Sequence, residues 1–75
     1  MFFNELKVGQ KAKILSLGKG DAAYRQRLIA MGLLPGTEFV VTHVAPLGDP
    51  VEIQVRGFAL SLRKNEAKIL QLQEV

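Results

Sequence analysis

The chain has no cysteine, no tryptophan, one histidine and one tyrosine among its 75 residues. Without cysteine there can be no disulfide framework, no thiolate metal site and no thiol nucleophile. A lone histidine cannot build the usual zinc or iron site, which gathers several His, Cys or carboxylate ligands at suitable spacing. His43 lies in an apolar run and reads as a strand residue at the edge of a sheet, so neither a metal nor a cofactor is expected. No apolar run approaches the roughly 20 residues needed to cross a bilayer. The first residues, Met-Phe-Phe-Asn-Glu, lack the basic segment and long apolar stretch of a signal peptide. The expectation is a soluble, cytoplasmic chain.

Catalytic machinery is missing as well. Ser16 and Ser61 fall in strand-like patterns, and nothing resembles the tight turn that presents a nucleophilic serine. Gly18-Lys19-Gly20-Asp21 precedes a helix, but a phosphate-binding loop needs a longer glycine-rich stretch with Ser or Thr after its lysine. Here an aspartate follows, and its charge repels phosphate. No enzyme is expected.

What is present suits one small fold. Apolar residues make up 48% of the chain, enough for a single core. A chain of this length buries only about 60–65% of its unfolded surface. Residues 1–75 are read as one domain. The formal charge is +3, from ten basic and seven acidic residues. The basic residues are scattered, with no run longer than Arg63-Lys64.

The segment from Asp21 to Thr37 organises the rest. Asp21 is a good N-cap, because its carboxylate can accept from first-turn N–H groups. Tyr24, Leu28 and Met31 share one helical face, which Leu28 should press into the core. Arg25 and Arg27 stay on the wet side. Gly32 stands where a left-handed helix cap is needed, and Pro35-Gly36 fits the centre of a type II turn. Before this segment, Asn4 should cap a single turn ending at Gly9, with Leu6 as a core anchor, and residues 10–17 alternate as a strand with Ala12 and Ile14 inward. After it, Glu38 to Val44 is rich in β-branched residues. Val51 to Arg56 alternates, Gly57 breaks the run, and Phe58 to Leu62 alternates again, so the two should form a tight hairpin. Phe39 and Phe58 should be core. Arg63 to Ala67 can make one helical turn, and Ile69 to Leu72 a last strand. The fold class is mostly β: five short antiparallel strands closing into a small barrel, with one inserted helix and one or two short turns. Closure removes exposed edges.

Two binding readings remain. Small barrels often bind nucleic acid through basic strands with interleaved aromatics, but no stacking platform is visible. The other reading is a protein-interaction module. Two Gly- and Pro-rich loops carry Leu33, Leu34, Pro46 and Leu47 where loops usually carry polar residues, and an exposed apolar patch usually marks a binding surface. Either two or three of these residues cap the ends of the barrel, or they form one exposed surface, flanked by Arg25 and Arg27.

The run from Tyr24 to Thr37, the loop Ala45-Pro-Leu-Gly-Asp-Pro and the run from Arg56 to Arg63 together resemble the bacterial ferrous iron transport protein A (FeoA) family. Each motif is weak alone, but their order and spacing are specific, and the match extends from Leu6 to the last strand. The resemblance implies an SH3-like barrel and no catalytic residues. It implies one partner, the polytopic ferrous-iron transporter with a cytosolic G-domain (FeoB), at the inner face of the cytoplasmic membrane. Similar barrels end iron-dependent repressors. The function expected from the resemblance is therefore a cytosolic accessory protein that docks on this transporter and supports ferrous-iron uptake, with a nucleic-acid-binding barrel as the alternative.

Overall fold

A computed structural model describes residues 1–75. In chain order it contains a 3-10 turn (Phe3–Glu5), β1 (Lys11–Leu17), α1 (Ala22–Ala30), β2 (Glu38–Val44), β3 (Val51–Val55), β4 (Phe58–Leu62), α2 (Lys64–Ala67) and β5 (Leu70–Glu74). All neighbouring strands run antiparallel, in the order β4-β3-β2-β1-β5. The inward set of each strand is the one its alternation gives: Ala12 and Ile14, Phe39 and Val41, Val51, Ile53 and Val55, then Leu62, and Leu70 with Leu72. They join Phe3, Leu6, Leu28, Leu33, Ala67 and Ile69 in a single buried cluster. Burying each large aliphatic or aromatic side chain contributes about 1.5–3 kcal/mol.

The helix begins and ends as local chemistry dictates. The Ala23 N–H donates to Asp21 Oδ1 at 2.8 Å. At the far end Gly32 takes φ +86°. The Gly32 N–H donates to the Ile29 carbonyl (2.9 Å) and the Leu33 N–H to the Leu28 carbonyl (3.0 Å). This pair of bonds is a Schellman cap, which typically folds the residue after the glycine back onto the helix. The Pro35-Gly36 turn follows, with the Thr37 N–H donating to the Leu34 carbonyl (3.0 Å) and Gly36 at φ +91°. The Gly36 N–H also donates to the Ile14 carbonyl at 2.7 Å, which pins the turn to β1.

Four features differ from the sequence expectation. The sheet does not close, because β4 and β5 are its two ends and do not pair. The first turn starts at Phe3, not at Asn4: the Phe2 N–H donates to the Glu5 carboxylate (3.1 Å), and Phe3 inserts beside Phe39 with ring centroids 6.1 Å apart. The last strand runs Leu70–Glu74 because β1 offers partners as far as Ala12, opposite Glu74. Phe58 is 71% exposed rather than core. Alternation gives the correct face for Phe58, but nothing covers that face at the start of β4.

Candidate docking surface

The six residues expected to form one patch do not come together. Leu33 is fully buried, because the Schellman cap seats it on Leu28. The remaining apolar three lie at opposite ends of β2. Leu34 precedes the strand and is 43% exposed, whereas Pro46 and Leu47 follow it, Leu47 being 98% exposed. A seven-residue strand spans about 20 Å, most of the molecule's 28 Å longest dimension. The Ala45–Pro50 loop is tied elsewhere: the Lys64 N–H at the start of α2 donates to Asp49 Oδ1 at 2.9 Å.

The two arginines also part company. Arg25 is exposed and makes no ion pair, whereas Arg27 Nε lies 3.4 Å from Glu66 Oε2. Glu66 is largely buried, and its other oxygen accepts from the Arg63 N–H at 3.3 Å. One carboxylate therefore closes the first turn of α2 and ties that helix to α1. His43 is exposed on β2, opposite Glu52. No three His, Asp or Glu side chains cluster closely enough to hold a metal ion.

A different apolar surface lies at the end of the sheet that carries Leu34. β3 runs antiparallel to β2, so its far end, and the turn after it, return to the start of β2. That turn is Arg56-Gly57, with φ of +53° and +84°. Two successive positive values make the type I′ turn whose twist matches paired strands. Beside it a groove of about 320 Å³ runs between the end of α1 and the hairpin, lined by Met31, Val55, Phe58 and Leu60, with Arg56 among its walls. Periodicity could identify Phe58 and Leu60 as one face of β4. It could not show that α1, stopped at Gly32, would leave half that face bare.

The FeoA domain family model matches residues 1–73. The chain belongs to the FeoA family. A curated relative, the Fe(2+) transport protein A/Fe(2+) transporter FeoB fusion protein of Porphyromonas gingivalis, is 32% identical over 73 residues, 97% of this chain and 8% of the relative. The chain thus spans under a tenth of that protein's length. Among solved structures, the FeoA-like protein of Clostridium acetobutylicum superposes with a TM-score of 0.90 at 33% identity, covering 100% of this chain and 86% of that one. The zinc-complexed FeoA of Stenotrophomonas maltophilia, an SH3 domain protein, matches at 0.82 and 28%, covering 97% and 89%. The SH3-like character of the present fold follows from these, although its sheet is open. No helix of the chain is long and apolar enough to cross a membrane.

Proposed function

We propose that this chain is a non-enzymatic accessory of ferrous-iron uptake that docks, from the cytoplasmic side, on a FeoB-type transporter. The observation that carries the reading is the fusion in Porphyromonas gingivalis, where a domain similar to this chain is covalently joined to the transporter. A fusion keeps two partners at high effective concentration, which is useful only if they act together. The docking face is the end of the molecule carrying Leu34, Met31 and the Phe58 groove. Large apolar anchors in a partly enclosed pocket usually supply most of an interface's energy. Arg25, free of intramolecular pairing, is available for an acidic rim, where charges tune rate and orientation. Leu47 stands apart at the opposite end and is a separate, weaker anchor candidate.

The test is capture of FeoB from detergent extract by the tagged chain, with and without guanine nucleotide. The wild type retains the transporter. Phe58→Thr keeps the strand propensity and the melt of the wild type yet loses at least about tenfold in capture, as loss of an anchoring aromatic entails. Absence of capture by the wild type under either nucleotide condition removes the reading.

A further inference from the structure

The two ends of the sheet are finished differently. At one end β5 is covered: the Leu72 N–H donates to the Met1 carbonyl (3.3 Å) and the Met1 amine to the Leu72 carbonyl (3.4 Å). At the other end β4 has nothing beyond it. The hairpin fixes which backbone groups are left over. A two-residue turn closes on a hydrogen-bonded pair, here Val55 with Phe58, and pairs alternate from there. Continuing the register through Ile53–Leu60 and Val51–Leu62, the main chains of Phe58, Leu60 and Leu62 bond to β3. Those of Ala59 and Ser61 point outward, and neither takes part in any other backbone hydrogen bond.

This edge lacks the usual defences. Natural edge strands are blunted by Lys, Pro, bulges or covering loops. β4 reads Phe-Ala-Leu-Ser-Leu, without charge or proline, and its register with β3 is unbroken. The bare groove lies on the same side as Phe58 and Leu60, so an added strand would satisfy the edge and also cover the groove.

Charge decides the occupant. Arg56 and Arg63 bracket β4, and Lys64 follows. A second copy of the chain, paired antiparallel with Leu60 opposite its own copy, would bring the Arg56-Gly57 turn of one molecule up to the Arg63-Lys64 end of β4 in the other. Juxtaposed like charges suppress a wrong partner, so the brackets act against self-pairing. The same brackets attract acidic ends. We infer that β4 is a strand-addition site for an extended partner segment, about seven residues long, with alternating apolar side chains and an acidic residue at each end. Main-chain bonds at Ala59 and Ser61 supply affinity, and the groove selects the apolar side chains, as in other β-augmentation modes. The transporter as the source of that segment rests on the docking proposal above; the site itself does not.

The probe is the capped peptide Asp-Val-Thr-Val-Thr-Val-Glu, titrated into the ¹⁵N-labelled chain and followed by amide exchange. In the free chain the Ala59 and Ser61 amides exchange far faster than those of Leu60 and Leu62, since only the latter are bonded within the sheet. The peptide slows Ala59 and Ser61 by at least about tenfold, and a version with lysine at both ends binds at least about tenfold more weakly at low salt. Ser61→Pro removes an outward N–H without touching the β3 ladder, keeps the wild-type melt and abolishes peptide binding. Protection of Ala59 and Ser61 in the free chain, no change on adding the peptide, or equal binding of the acidic and basic peptides overturns the site. Equal capture of FeoB by the wild type and by folded Ser61→Pro overturns strand addition as the docking mode while docking stands. Capture by neither, with the peptide still bound at β4, removes docking and leaves the strand site.

Discussion

Leu33 and Leu47 show how differently two loop leucines can behave. Both sit in Gly- and Pro-rich turns, yet one is fully buried and the other 98% exposed. Leu33→Ala, like Leu28→Ala, should cost about 2–5 kcal/mol, the range for a fully buried leucine. A chain of this length holds only about 4–11 kcal/mol in total, so urea melts of either variant should show a large loss or no folded baseline. Leu47→Ala should stay within about 0.5 kcal/mol of the wild type, as surface changes usually do. At Gly32 the constraint is the backbone alone, because φ is +86° and an added Cβ would meet no atom within 4 Å. Gly32→Val should therefore lose about 1–2 kcal/mol, with Gly32→Asn losing clearly less because asparagine tolerates the left-handed region. Equal losses in thermal denaturation would show that something other than φ governs the site.

At the scale of elements, the ion pair between Arg27 and Glu66 joins two helices that the sequence presents as unrelated. Arg27 is largely in water, so the pair is not worth the value of a fully buried one. Its loss nevertheless leaves the Glu66 carboxylate largely buried without its cation. Arg27→Ala should destabilise by about 0.5–1.5 kcal/mol, with the deficit narrowing as salt rises. Paired melts at low and high ionic strength measure this, and a salt-independent deficit would point to lost side-chain packing instead. The hairpin of β3 and β4 is the opposite case. Gly57 between two alternating runs announces it, and the register from Val51–Leu62 to Val55–Phe58 is unbroken. The cap at Gly32 was also legible, and with it a signal for Leu33: an apolar residue directly after a helix-ending glycine commonly packs back on the last turns.

For the whole molecule, the decisive property is an asymmetric sheet. One end is closed by the N-terminal residues, while the other combines a bare backbone edge with an apolar groove. The proposed binding there would draw on apolar contact and main-chain bonds, with charge as guidance. Capture of FeoB should accordingly change by less than about threefold between 50 and 200 mM salt, because few exposed charge pairs contribute. A nucleic-acid binder making six to ten phosphate contacts would lose about 10³–10⁵ over the same range. Retention of nucleic acid in a filter-binding series with that steep slope would favour the nucleic-acid alternative.

The sequence alone determined what depends on neighbours along the chain. Asp21 caps a helix, Gly32 ends it, Pro35-Gly36 turns the chain, and the two-residue period assigns inward faces to β1, β3 and β4, because each of these is set by φ, by local hydrogen bonding or by pleat. What lies over a face is set by residues far away in the chain, and only the tertiary structure decided that. The Phe3 side chain reaches Phe39 across the core, while Phe58 stays bare because nothing packs over the start of β4. Leu34 and Leu47 part because β2 lies between them, and the sheet stays open because no segment pairs with β4.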